Sequence, residues 1–340
     1  MHAYTFWNNK GGTGKTSLAF QTICRFAQQN PDRSVLVIDV CPQANLSELF
    51  LGGLGVGNQR LLEFYGQTLR QSIGGYFQRR IPAPFSPPAF NAADFIVRPY
   101  ESNASIPPNI FLVCGDPLLE LQGTAISSLA NQSLPGTNAW LGVVSWLKDF
   151  IDPLEFDYDV VFMDANPSFS FYTQICLAAT TRLILPVMAD DSSRRAIQNA
   201  FSLTYGLRLP SEIYAEYAFS TRLAAAGREL PQVHVIAKNR LTQYMGPASA
   251  YSAVLQSIDT DVTSLIEHNS EIFSFENLQD GVVEIRDFQT TGVVAFAKGM
   301  PFYNLSAGRM NVGGQRVRVN REQIDHCMSA VDDLVAKIAL

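Results

Sequence analysis

Residues 8 to 16 read Asn-Asn-Lys-Gly-Gly-Thr-Gly-Lys-Thr, a set of residue types spaced to hold a polyanion. Gly11 and Gly14 let the backbone come close to a ligand, so that successive N–H groups point inward at phosphate oxygens. Lys15 supplies a compact positive charge for the β- and γ-phosphates, and the Thr16 hydroxyl supplies an oxygen for Mg²⁺. The candidate nucleotide-binding residues are therefore Gly11, Gly12, Thr13, Gly14, Lys15, Thr16 and Ser17. A loop of this kind needs a strand before it and a helix after it. Ala3 to Trp7 is an apolar run that predicts a strand, and Ser17 to Ala27 repeats apolar residues at helical spacing.

Two further segments bring carboxylates to the same edge. Ser34 to Asp39 is a nearly continuous apolar run ending in an acid, as expected of a buried parallel strand whose C-terminal end faces a ligand crevice. Tyr158 to Asp164 repeats the pattern, and a carboxylate there can hold the water shell of Mg²⁺, which keeps several waters and takes few protein ligands. Apolar runs at Asn109 to Gly115, Thr181 to Val187 and Gln232 to Ala237 predict more strands, with helical patterns between. The alternation specifies an α/β fold: a doubly wound, predominantly parallel sheet with helices on both faces. It is read as one domain over 1–340, with a loop-rich segment at about 55–110.

Lys10, five residues before Lys15, is not required to cradle a triphosphate. With it, the run Lys-Gly-Gly-Thr-Gly-Lys-Thr resembles the deviant Walker A motif of the ParA/MinD family of P-loop ATPases, where this lysine reaches across a dimer to the partner's ATP. Val40-Cys41-Pro42-Gln43-Ala44-Asn45-Leu46 resembles the family's second nucleotide motif, Asp-x-Asp-Pro-Gln-Gly-Asn. Cys41 stands at the second aspartate, which the family uses to position the attacking water. Ala165-Asn166-Pro167-Ser168 resembles the Asp-x-Pro-Pro-Ser switch segment, with Asn166 in place of the first proline. Asn239 matches an asparagine that reads the adenine edge in related ATPases.

The resemblance implies ATP and Mg²⁺ as cofactors, Lys10, Lys15, Asp39 and Cys41 as catalytic positions, and Thr16, Asp39 and Asp164 around the metal. It also implies a homodimer formed on ATP binding, a ParB-like or cargo-adaptor partner, and a role in DNA partition or cargo positioning. A thiol with an ordinary pKa of about 8.5 is mostly a weak donor at neutral pH, so slow or partner-stimulated hydrolysis is expected.

A net charge of −6 and a pI near 5.3 exclude a generic polyanion binder. Nonspecific DNA contact would need a local patch, and Arg316, Arg318 and Arg321 form the densest basic cluster. The five cysteines are far apart with no Cys-x-x-Cys pair, which argues against zinc and iron–sulfur chemistry. Metalloprotease and serine-hydrolase motifs are missing as well. No apolar run approaches the roughly 20 residues of a membrane span and no signal-type segment opens the chain, so a cytoplasmic location is expected, on nucleoid DNA if the family's habit holds. From Ile324 to Ile338 apolar residues recur at helical spacing, but Asp325, Asp332 and Asp333 oppose only Lys337 on the polar side. An anionic bilayer would repel that face, so the helix is expected to pack on the domain and no membrane partner is expected.

Elsewhere, Gly52 to Gly57 reads as a flexible loop, Pro82 to Pro88 as a surface connection, Trp140 to Ile151 as one amphipathic helix, 247–268 as largely helical, and Gly292 to Pro301 as an apolar strand and turn, which resembles the family's late loop over the nucleotide. Two other classes fit the same scaffold: a hydrolysis-impaired ATP-binding scaffold or membrane-site regulator, and a metabolic enzyme.

Overall fold

The computed structural model describes residues 1–241 and 250–338. Six of the seven strands lie where the expected apolar runs fall, β1 (His2–Phe6), β2 (Val35–Val40), β3 (Ile110–Val113), β4 (Val160–Ala165), β5 (Arg182–Met188) and β6 (Gln232–Leu241), and the seventh, β7 (Val282–Arg286), forms in a stretch outside the expected runs. They pair in parallel in the order β3-β2-β4-β1-β5-β6-β7. β2 and β4 are buried at every position, which is why their sequences run apolar without alternation. Val35 and Val37 nonetheless face one layer, and Leu36 and Ile38 the other.

In chain order the helices are α1 (Lys15–Gln29), α2 (Asn45–Phe50), α3 (Val56–Tyr65), α4 (Ile73–Arg80), α5 (Pro99–Ser102), α6 (Leu118–Ala130), α7 (Ala139–Val144), α8 (Trp146–Ile151), α9 (Phe171–Ala179), α10 (Asp191–Tyr205), α11 (Phe219–Ala225), α12 (Ala250–His268), α13 (Leu278–Gly281), α14 (Gln289–Lys298) and α15 (Arg321–Ile338). One core sets Phe20 and Phe26 of α1, Phe50 of α2, Val294 of α14 and Leu334 of α15 against Phe6, Val37 and Phe162. The other sets Tyr76, Trp146, Phe150, Ile175 and Phe201 against Leu36, Ile38 and Met163. A separate antiparallel ribbon, β8 (Gly308–Val312) with β9 (Gln315–Val319), packs on α14.

β1 and β4 are neighbours, yet the helices that follow them leave for opposite faces. That divergence opens a crevice at the strands' C-terminal ends, the usual ligand position in such sheets. In register, Asp164 lies beside both Phe6 on β1 and Asp39 on β2, so three strand ends converge there.

Several expectations change. Trp140 to Ile151 is two helices, α7 and α8, joined at Ser145. The proline-rich segment seats against the pair: Trp146 Nε1 donates to Pro84 O at 2.7 Å, and Phe85 lies against Gly142. Gly52 to Gly55 is a tight turn leading into α3 rather than a flexible loop. A Cβ on Gly53 (φ 78°) would come within 2.3 Å of Gly299 N, so the turn is pinned backbone against backbone. Gly292 to Pro301 is mostly helix α14, because Gln289 to Lys298 bury Thr291, Val294 and Ala295 on one side, a helical and not a two-residue period. The expected helix 247–268 is observed from Ala250; its first three positions lie outside the described residues. α15 packs on the domain as expected, burying Ile324, Cys327, Val331, Leu334, Val335 and Ile338. Truncating such a buried Leu to Ala costs about 2–5 kcal/mol.

Candidate nucleotide-binding site

The loop between β1 and α1 ends at Gly14, the N-cap of α1, with φ 77°. A side chain there would be strained, and its Cβ would meet Asn239 Nδ2 at 2.6 Å. The first turn of α1 carries neither a side-chain cap nor an acid, so its leading N–H groups and positive dipole end are directed at the loop. Thr13 is buried, and its Oγ1 has no partner among the described residues. These are the donors that a phosphate chain requires, and the cradle fits one.

Lys15 is buried, and its Nζ donates to Asp164 Oδ1 at 2.5 Å. Burial pulls the Lys15 pKa down, but the charge and hydrogen bond of Asp164 outweigh it and leave it raised, so the ammonium keeps its proton. Thr16 Oγ1 donates to Asp164 Oδ2 at 2.8 Å. Lysine, hydroxyl and carboxylate thus meet at the head of α1, an oxygen-rich setting that suits Mg²⁺.

Asp39 is fully buried and turns the other way. Its carboxylate accepts from Ser47 N (2.9 Å), Ser47 Oγ (2.8 Å) and Cys41 N (3.1 Å). Burial, reinforced by the neighbouring charge of Asp164, raises Asp39 well above the usual carboxylate range, with the Ser47 bonds and Lys15 pulling back. Asp39 therefore ties the start of α2 to β2, whereas Asp164 is the carboxylate that Lys15 and Thr16 touch. The sequence places Asp39 among both the catalytic and the metal positions and Asp164 at the metal; in the fold it is Asp164, not Asp39, that lies against Lys15 and Thr16.

Cys41 is buried, and its thiol is pushed up to about 12 by burial and then by the charges of Asp39 and Asp164, with Lys15 opposing. It stays protonated at neutral pH. Its Sγ donates to Asn166 Oδ1 at 3.8 Å, so two of the departures from the family motifs, at 41 and 166, touch each other. The Asn166 amide also donates to Ser168 Oγ (2.9 Å) and Tyr172 OH (3.0 Å), which fixes the turn after β4.

Asn239, at the end of β6, donates through Nδ2 to Thr13 O at 2.8 Å and accepts from Arg240 N at 2.9 Å. Both amide atoms are engaged on backbone, one of them clamping the glycine loop. Beside it opens a cleft of about 570 Å³, with Gly14 and Ser17 on the loop side and Leu54, Phe288, Val293, Phe296 and Val312 forming apolar walls. An apolar slot next to a phosphate cradle suits a flat base. Sequence reasoning missed Leu54, Phe288 and Val312, which come from three separate regions of the chain.

Lys10 is engaged within its own chain: Nζ lies 2.7 Å from both oxygens of Asp190 and 3.1 Å from Ser193 Oγ. Asp190 caps α10. Arg194, on the first turn of α10, pairs with Asp261 of α12 at 3.6 Å.

The basic patch is rearranged. Arg316 and Arg318 share the exposed face of β9, but Arg321 begins α15 and pairs with Asp325 at 3.1 Å. Arg309 on β8, unmarked by local sequence, stands directly opposite Arg318 on the same face. Arg309, Arg316 and Arg318 have no hydrogen bond or ion pair among the described residues. Among those residues no group of His, Cys, Asp and Glu could hold a structural metal, and no helix is long and apolar enough to cross a membrane.

The chain is 27% identical over 202 residues to the cell division protein PomZ of Myxococcus xanthus, covering 59% of this chain and 51% of that protein. It is 24% identical over 212 residues to the virulence plasmid ParA family protein pGP5-D of Chlamydia muridarum, covering 62% and 65%. The match thus spans less than two thirds of either relative. In fold it is similar to an ATP complex of a McdA variant from Cyanothece, with a TM-score of 0.62 at 14% identity over 100% of this chain and 97% of that one. It is also similar to a plasmid partition protein of Borrelia burgdorferi bound to AMPPNP, with a TM-score of 0.54 at 13% identity over 99% of each chain. Residues 4–311 match the model of the CobQ/CobB/MinD/ParA nucleotide binding domain, and with the glycine loop, Lys15, Thr16 and Asp164 assembled at the β1/β4 crevice, this chain belongs to that family.

Proposed function

We propose that this protein is an ATP- and Mg²⁺-dependent switch that dimerises on nucleotide binding and serves DNA partition or the positioning of a cargo. The convergence of Lys15 and Thr16 on Asp164 at the head of α1 carries the reading. The α1 amides and Lys15 neutralise the phosphates, Ser17 and the apolar cleft accommodate the nucleoside end, and Asn239 holds the loop in shape. Thr16 and Asp164 would hold Mg²⁺, which would screen the phosphate charge. Asp39 supports that edge from beneath through α2. The names of the relatives, a cell division protein and plasmid partition proteins, support a positioning role, and a ParB-like or cargo-adaptor partner follows from it.

Hydrolysis is slow in this reading, because the protonated Cys41 thiol cannot accept a proton from water at neutral pH. Nonspecific DNA is the second proposed partner, met by the arginine face of the β8–β9 ribbon. Lys10 is the residue assigned to the second subunit, which requires it to leave Asp190. Lys10→Ala should bind ATP with Mg²⁺ nearly as the wild type does, yet stay monomeric in light scattering at saturating nucleotide. An unchanged ATP-dependent dimer would sink the bridging role, and no Mg²⁺-dependent ATP affinity in the wild type would sink the whole reading.

A further inference from the structure

The Lys10 contact is more completely built than a surface ion pair. The ammonium has three N–H donors, and it has three acceptors: Asp190 Oδ1 and Oδ2 at 2.7 Å and Ser193 Oγ at 3.1 Å. Those acceptors are themselves fixed. Asp190 also receives Ser193 N and Ser192 Oγ, each at 2.7 Å, and the buried Ser193 Oγ receives Met188 N at 3.2 Å. At the other end, Lys10 N donates to Asn8 Oδ1 at 3.0 Å, and Asn8 Nδ2 donates to Pro186 O at 2.8 Å. Both ends of the contact are therefore anchored to the C-terminal end of β5. A lysine with every donor engaged in cis cannot serve another chain at the same time.

We propose that Asp190 and Ser193 are positioning residues that hold Lys10 within its own subunit, so that release from them sets the amount of nucleotide required for assembly. This rests on the switch reading above. If only a fraction of molecules presents a free Lys10, the apparent affinity for assembly falls by that fraction, and weakening the holder restores it. The contact joins the loop ahead of α1 to the N-cap of α10, so a partner that moves α10 would free the lysine by the same route.

Asparagine caps helices about as well as aspartate, so Asp190→Asn removes the negative charge that faces the Lys10 ammonium while keeping the α10 cap. Ser193→Ala removes the third acceptor without touching Asp190. The first measurement is the rate at which acetic anhydride modifies Lys10 in nucleotide-free protein, read by mass spectrometry, and it does not depend on assembly. The second is the ATP concentration for half-maximal dimerisation by light scattering, for the wild type, both variants and each variant combined with Lys10→Ala. Expected are several-fold faster modification in Asp190→Asn, a smaller gain in Ser193→Ala, and dimerisation midpoints lowered in the same order, about 3- to 10-fold for Asp190→Asn. The gain should vanish with Lys10→Ala. Unchanged modification rates would overturn the contact. Faster modification with an unmoved midpoint would overturn its role in assembly while leaving the switch intact, and a wild type that never dimerises with ATP would remove both.

Discussion

At position 41 a thiol stands where the resembling ATPases carry an aspartate, and its surroundings explain what this means chemically. Burial and two nearby carboxylates push Cys41 up to about 12, so it holds its proton across the physiological range and donates to Asn166. Cys41→Asp would restore an acceptor beside the crevice. Single-turnover ATP hydrolysis should then accelerate by about 10-fold or more, up to the roughly 10²–10⁴-fold available to a well-positioned base. The same change places a third carboxylate beside Asp39 and Asp164. The nucleotide-free variant should therefore be less stable by about 1–3 kcal/mol, and Mg²⁺ with nucleotide should recover much of the loss. Equal hydrolysis rates in the two proteins would remove this account of position 41. The residue types at 41 and 166 are plain in the sequence, but their contact is not, because they lie 125 positions apart and only the β2–β4 pairing closes the gap.

At the scale of elements, α15 shows how one helix is held by a polar as well as an apolar seam. His234 on β6 bonds through Nδ1 to Ser274 Oγ at 2.7 Å and through Nε2 to Lys337 O at 3.0 Å, while Tyr4 OH donates to Ile338 O at 3.0 Å. Burial, and then the positive charge of Arg182, lower His234 from 6.5 to about 4, with the Lys337 carbonyl pulling the other way. The folded state thus resists protonation that the unfolded chain accepts. Stability from this site is present in full above pH 6.5 and is lost as the pH falls from there toward about 4. Denaturant midpoints between pH 7.5 and pH 5 should fall more steeply in the wild type than in His234→Gln, whose amide does not titrate. Parallel slopes would show that His234 is not the group responsible. Helical spacing from Ile324 to Ile338 is enough to predict α15, but its docking depends on residues from β1 and β6 that no local pattern marks.

Over the whole molecule, the sign of the charge is a poor guide to its surface. The net charge is −6, yet Arg309, Arg316 and Arg318 stand together on the ribbon, with Arg309 and Arg318 directly opposite. Like charges in facing positions repel, and a polyanion laid across the face would relieve this. The inner side of the ribbon brings Val312 to the apolar cleft, so nucleotide and DNA would meet the same small element. Binding to duplex DNA in the presence of ATP and Mg²⁺ should weaken steeply with salt, and each of Arg309→Ala and Arg318→Ala should reduce the slope by about 1. Arg321→Ala, whose side chain pairs with Asp325, should change it little. A slope unaffected by the ribbon variants would place any DNA contact elsewhere.

The sequence by itself determined the glycine loop, the carboxylate-ended strands and the parallel α/β architecture. Each of these is written locally, in residue types at fixed spacing and in buried strands that need apolar side chains on both faces. Tertiary structure alone decided that Asp164 and not Asp39 meets Lys15, that Lys10 rests on Asp190, and that Arg309 and not Arg321 completes the arginine face. Those outcomes depend on strand order, register and the geometry of facing chains, which bring together residues that local periodicity keeps far apart.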